Sequence, residues 1–388
     1  MAKPGSAAAS HRFTAPLTPP TVIAPREPEP AAGGEESGSP TDELRTARKY
    51  QFTAHDIASG LVAVSRGTSY AQAGEAVRRQ AARRWGPPGT PVPSRRHGTL
   101  VSDWVEVYAE ALWHAQAPYA AAWPETVLVG VLPLTVVPPG RPQSRPGLVF
   151  SVFVAMTYEA DGRAVVFAIG SAAGTGARHW AAFLRELARA RTGRPVRIVG
   201  DGSAGLARAV AAVWPRPSAA PEVWTDEAVM RAAARRICRS RGLDGRDVRL
   251  WILLQRAWRG PEDWDRFAAE ARRYRLPELD RWLATAGPMT ARQFAARRPG
   301  VHLSRRAVPA ALAELETRLG KRRTAFGNQA RTDRLLRLMA LDIFGMARVH
   351  AWTDLICVWL ERTGGRPTTS QRRIADRGGR PSLRAAAR

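Results

Sequence analysis

Residues 178–215 read RHWAAFLRELARARTGRPVRIVGDGSAGLARAVAAVWP, and this stretch decides the fold. Trp180, Phe183, Leu184 and Leu187 recur at three- and four-residue spacing, which predicts an amphipathic helix over 178–191. Pro195–Gly200 is a short apolar run that predicts a buried strand stopping at Asp201-Gly202. The helical period returns over Ser203–Val213. A helix, a buried strand and a second helix in direct succession are the signature of an alternating α/β sheet.

Working outward, Thr126–Val137 is rich in β-branched residues and ends at Pro138-Pro139-Gly140. Gly147–Tyr158 and Arg163–Ser171 flank the turn Glu159-Ala-Asp161-Gly162, which predicts a hairpin. Downstream, Pro221–Trp224 reads as a short strand and Glu227–Arg241 as a basic helix. The order β-β-β-α-β-α-β-α predicts three antiparallel strands, extended in parallel by the later units.

Outside this core the period is helical. Thr53–Ser65 and Tyr70–Trp85 are two helices broken at Arg66-Gly67-Thr68, with Thr68 or Ser69 as the second N-cap. Arg78, Arg79, Arg83 and Arg84 fall on the outer side of the second helix. Two short helices, a glycine turn and a basic second helix make a helix-turn-helix candidate, against the plainer reading of a helical hairpin. A further helix covers 99–116, residues 246–300 are helical and rich in Trp and Arg, and three helices lie near 308–319, 329–346 and 351–361. The expected organisation is a disordered tail at 1–45, a helical DNA-binding region at 46–122, the α/β core at 123–241 and a helical insertion at 242–300. Helices completing the core follow at 301–362, and a basic tail at 363–388.

Charge narrows the partner. The chain holds 59 Lys and Arg against 34 Asp and Glu, a net charge of +25. The first 45 residues are net acidic, with four basic and six acidic side chains, so the positive charge belongs to the folded part. Arginine far outnumbers lysine, and its fork suits phosphates and guanine edges. Compositional arginine bias on a solvated surface is the bland alternative. No apolar run approaches the ~20 residues of a membrane span, and the N-terminus lacks the apolar core of a secretion signal. Two cysteines, Cys238 and Cys357, form neither a disulfide framework nor a zinc set. A cytoplasmic, nucleoid-associated protein is expected. The seven histidines show no metal spacing, and the glycines of 170–176 lack the lysine of a phosphate loop. Trp251, Trp258, Trp264 and Trp282 are core residues by spacing, or platforms for extruded bases.

Three stretches carry a family resemblance. The first is Trp180-Ala-Ala-Phe-Leu-Arg-Glu-Leu, followed by Val199-Gly-Asp201-Gly, Gly205-Leu-Ala-Arg-Ala-Val and Trp214-Pro215. The second runs Arg322-Arg323-Thr-Ala-Phe326-Gly-Asn328-Gln-Ala-Arg331 into Leu335-Leu336, and the third is Gly67-Thr-Ser-Tyr70. On these, residues 123–215 and 301–384 resemble bacterial insertion-sequence transposases of the Mutator-like kind. The resemblance implies an RNase H-like mixed sheet with a helix-turn-helix domain, an all-α insertion and C-terminal helices. It also implies double-stranded DNA as partner and, by analogy, a homodimer. Arg78, Arg79, Arg83 and Arg84, with Arg322, Arg323 and Arg331, would hold the DNA.

Such transposases place three carboxylates around two divalent metals about 4 Å apart, Mg²⁺ or Mn²⁺ if active. Only Asp201 matches. The first acid aligns to Gly130, before Val131-Leu-Pro133-Leu, and the third to Pro309. Trp224-Thr-Asp-Glu227 replaces the Cys-x-x-His of the family. Asp226 and Glu227, which follow the fifth strand, are the substitutes placed to sit nearer to Asp201, with Glu125, Glu314 and Glu316 less well placed. Asp201 is then either the remaining metal ligand or simply a cap between strand and helix. The expectation is a transposase-derived DNA-binding protein with impaired chemistry. An active enzyme with relocated acids, and an RNA-binding or structural scaffold, are the alternatives.

Overall fold

The computed structural model describes residues 52–85, 97–117, 122–136, 148–243, 248–297, 304–320 and 329–362. The expected tails at 1–45 and 363–388, and Arg322 and Arg323, lie outside the described residues. The chain divides into two compact units. One contains residues up to Gln116 together with those from Arg318 onward, and the other spans Ala117–Thr317. The region 301–362, expected as one body completing the core, is therefore split. Its first helix belongs mainly with the sheet, and its later helices belong with the N-terminal ones.

The second unit holds a five-stranded mixed sheet in the order β3-β2-β1-β4-β5. The strands are β1 (Thr126–Val136), β2 (Leu148–Tyr158), β3 (Ala164–Ala172), β4 (Arg197–Gly200) and β5 (Glu222–Thr225). β1 pairs antiparallel with β2 and parallel with β4, and β5 extends the parallel edge. Val127, Leu128 and Val129 are fully buried, as a central strand covered on both faces requires. The turn between β2 and β3 closes as its sequence predicts. Glu159 N–H donates to Arg163 O at 2.9 Å, and Asp161 accepts from Arg163 N–H at 2.8 Å.

Helix α4 (Ala177–Ala190) covers one face, with Trp180 edge-on to Phe153 of β2 at 4.7 Å. Helix α5 (Ala204–Val213) follows β4 so closely that a Cβ at Gly200 would meet Leu206 at 2.2 Å. Helix α10 (Ala307–Gly320) packs on the opposite side, with Val308 and Leu312 against Gly130. Between them come α6 (Glu227–Ser240), α7 (Val248–Arg256), α8 (Pro261–Arg273) and α9 (Pro277–Ala296). These four close around Trp258, Trp264, Phe267 and Leu279 as their own apolar cluster. Trp282 packs against Trp258 and Trp264, and Trp251 and Trp282 are both partly buried against the cluster. All four tryptophans singled out by spacing thus pack in or against this core. The cluster is tied to the sheet through Thr225, whose N–H meets Met289 Sδ at 3.1 Å and whose carbonyl accepts from Gln293 at 2.8 Å.

The first unit packs α1 (Ala54–Ser65), α2 (Tyr70–Trp85), α3 (His97–Gln116), α11 (Gln329–Ile343) and α12 (Val349–Arg362). α1 starts in a capping box between Thr53 and Asp56. Ser69 and Gln72 make the same reciprocal pair at the head of α2. Gly67, at φ +97°, makes the turn between them, a conformation that costs other residues strain. Leu61, Leu112, Leu335 and Trp352 are at or near zero exposure in the core. α11 stops three residues short of the expected 346, where Met346 N–H turns back to Leu341 O at 2.8 Å. Among the described residues no helix is long and apolar enough to cross a membrane.

Candidate functional site

The loops after β1, β4 and β5 lie at the carboxyl ends of parallel strands, where open α/β sheets commonly bind ligands. The sequence-predicted acids belong to this edge. Asp201 follows β4, and its Oδ1 accepts the Ser203 N–H at 3.0 Å. Ser203 in turn caps α5 by accepting from Leu206 N–H at 3.4 Å. Gly202 takes φ +74° between them, with Thr225 in the space a Cβ would need, 2.8 Å away. The Gly-Asp-Gly signature is thus accounted for by helix–strand packing, an Asx turn and a left-handed residue. The second oxygen of Asp201 has no protein partner among the described residues.

Asp226 is 4% exposed, and both of its oxygens are committed to amides. Oδ1 caps α6 at Ala228 N–H and Oδ2 accepts the Arg305 N–H, each at 2.8 Å. The Arg305 guanidinium reaches across to Val129 O at 2.8 Å. Asp226 and Arg305 together form a latch that fastens the start of α10 to β1 and β5. Glu227 is also committed: it pairs with Arg231 at 3.3 Å and with Arg297 at 3.2 Å. Arg297 additionally donates to Trp258 O at 2.7 Å.

Where the first acid of the aligned pattern would stand, the structure has no room for one. A Cβ on Gly130 would lie 2.3 Å from Val308 Cγ1 and 3.0 Å from Leu312 Cδ1. Pro309 sits in the first turn of α10 and is exposed. Glu125 pairs with Arg197 at 3.0 Å, and Glu314 and Glu316 are exposed on α10. No group of three or more His, Cys, Asp or Glu among the described residues could hold a metal. The donor set does not fit a two-metal centre: Asp201 closes an Asx turn, Asp226 is consumed by two amides, and an apolar helix fills the first position.

The basic residues divide as sharply. On α2, Arg79 and Arg83 are exposed, with Gln72, Ala76 and Gln80 on the same outward side. Arg79 keeps one contact, with Glu75 a turn earlier. Arg78 is half-buried, and the Arg84 side chain lies outside the described atoms. Arg331, by contrast, is locked to Glu106 of α3, its Nε donating at 2.7 Å. Arg334 and Arg337 of α11 converge on Glu110 of the same helix. Sequence reasoning missed this ladder. The signal was available, since Glu106 and Glu110 are one turn apart and the three arginines recur every third residue, so each set lines one helix face. No protein-family model matches the chain and no curated protein is similar to it.

Proposed function

We propose that this chain is a duplex-DNA-binding protein on an RNase H-like, transposase-derived scaffold that has lost its cleavage chemistry. The observation that carries the loss is the packing of Val308 and Leu312 into the space of a side chain at Gly130. The strand order, three antiparallel strands followed by two parallel ones on the β1 side, supports the RNase H-like reading. The net charge of +25 and the exposed Gln72, Arg79, Gln80 and Arg83 on α2 support a helix that enters the major groove. Glutamine and arginine are the side chains that read adenine and guanine edges in pairs of hydrogen bonds.

The test is duplex binding by the full chain, followed by fluorescence anisotropy across a salt series. Arg79→Gln with Arg83→Gln is expected to weaken binding and reduce the slope of log K against log salt by about 1.8, or about 0.9 per phosphate contact. An unchanged affinity and slope would remove α2 from the interface. The same assay with single-stranded RNA separates this reading from an RNA-binding scaffold, which would bind both with equal strength.

A further inference from the structure

Helices α4 and α5 lie side by side against the sheet. A Cβ on Gly205 of α5 would come 3.6 Å from Ala177 N and 3.9 Å from Trp180 Cδ1 of α4. α4 buries Trp180, Phe183, Leu184 and Leu187. At about 3.6 residues per turn these centre on one side of the helix, and Arg185 and Arg189 fall within about 20° of Arg178 on the opposite side. The three arginines form a stripe about 16 Å long. On α5 the buried residues are Leu206, Ala209 and Val210. Arg208 stands on the far side, with Ala204, Ala207, Ala211 and Ala212 exposed around it.

All four arginines are exposed, and Arg185, Arg189 and Arg208 pair with no carboxylate among the described residues. Arg178 Nε donates to His179 Nε2 at 3.3 Å, an imidazole rather than an acid. α5 has no acid in its sequence, and the one acid of α4, Glu186, has its Oε2 buried. Elsewhere in this unit, Arg163, Arg266 and Arg273 each pair with a glutamate three or four residues before them. Like charges four residues apart, as Arg185 and Arg189 are, work against a helix. A row of anions laid along the stripe relieves that repulsion.

Duplex DNA fits this surface by charge and by shape. Each strand carries a charge for about 3.4 Å of axis, so a stripe of about 16 Å follows several phosphates of one strand. The alanines around Arg208 add no bulk to hold the backbone off. No large apolar side chain of either helix is exposed, which sets the face apart from a membrane-binding helix, whose apolar residues enter the lipid. We propose that the α4–α5 face is a second contact for duplex DNA, gripping the backbone through Arg185, Arg189 and Arg208 without reading sequence. The proposal rests on the DNA-binding reading for its ligand but not on α2 for its site. Phosphates carry no base identity, so the contact acts on every duplex alike.

The experiment measures binding of the full chain to two duplexes of unrelated sequence across a salt series. Arg185→Gln, Arg189→Gln and Arg208→Gln together are expected to lower the salt slope by about 2.7 on both duplexes. Arg185→Lys, Arg189→Lys and Arg208→Lys together keep the charge and are expected to retain most of the slope. The three side chains are exposed, so both triple variants should melt at the temperature of the parent. If the Gln and Lys triples behave alike, charge is not what these positions contribute and the proposal is overturned. It is also overturned if the slope falls on one duplex only, or if polyglutamate competes as well as DNA at equal charge. A parental slope in the Gln triple, with a slope lost in Arg79→Gln with Arg83→Gln, sinks this site and leaves α2 standing. Absence of any duplex binding by the unaltered chain sinks the DNA reading and this site with it.

Discussion

The carboxyl edge of the sheet and the outward face of α2 hold the same kinds of side chain and use them in opposite ways. At the sheet edge, Asp226, Glu227 and Arg305 are turned on the protein itself, as caps, ion pairs and backbone donors. On α2, Gln80 and Arg83 point outward, Gln72 is exposed but caps the helix with Ser69, and Arg79 has only an exposed contact within its own helix, which is worth a few tenths of a kcal/mol. A polar group committed to amides in the interior cannot bind a ligand without an energetic penalty, because releasing it strands a buried donor. The difference teaches where function can lie here. At the carboxyl edge of the sheet the polar groups serve structure, whereas the arginines and Gln80 of the α2 face stay open to solvent.

Asp226 gives the largest effect by which to break this contrast. Asp226→Ala would orphan the Ala228 and Arg305 amides together, and a buried unsatisfied donor costs about 1–3 kcal/mol each. A loss of about 3 kcal/mol by denaturant melting is expected, with α10 loosened from the sheet. If instead the variant is as stable as the parent, the carboxylate is not needed for structure and becomes available for chemistry. Its counterpart test is metal-dependent cleavage: neither Mg²⁺ nor Mn²⁺ is expected to produce nicked duplex with the parent chain. Nicking that Asp201→Ala abolishes would restore the enzyme.

Gly130 comes next. Gly130→Ala places a Cβ 2.3 Å from Val308 Cγ1, and overpacking of this kind costs about 1–3 kcal/mol. Val308→Ala opens the space at the cost of a small cavity. Combined, the two are expected to cost less than the sum of the single changes by about 1 kcal/mol, since they share one contact. Strict additivity in the double-mutant cycle would mean that α10 yields freely, and that an acid at 130 could be accommodated.

Much of the α/β core was legible because its signals are local. The period of 178–191, the stop at Asp201-Gly202 and the turn at 159–162 each fix an element within a few residues, and the strand and helix bounds agree to within about two residues. The candidate site was legible only by composition. That Asp226 faces Arg305 across 79 positions, or that Val308 fills the space beside Gly130, depends on how α10 docks on β1. The period of α10 says that Val308 and Leu312 share a face, but not which strand that face meets. The same holds for Arg331. Its residue type promised a phosphate contact, while its fate was set by Glu106, 225 positions away.

Arg331 supplies the smallest and most discriminating effect. The α11 and α2 helices both carry recurring arginines, so residue type alone predicts that both bind DNA. The structure separates them, because Arg331, Arg334 and Arg337 are faced by Glu106 and Glu110. Partly buried networks of this sort contribute more than isolated surface pairs, which are worth about 0–1 kcal/mol. Glu106→Gln is therefore expected to lower stability by about 1 kcal/mol. It should also release Arg331 from Glu106 while Arg334 and Arg337 keep Glu110, so that DNA affinity stays level or rises slightly. Arg331→Gln should lower stability by a similar amount without changing the salt slope. The α2 pair should do the reverse, changing the slope while stability moves by less than about 0.5 kcal/mol. A salt slope reduced by Arg331→Gln would mean that the ion pair opens to DNA, and the division between structural and free arginines would have to be redrawn around α3 and α11.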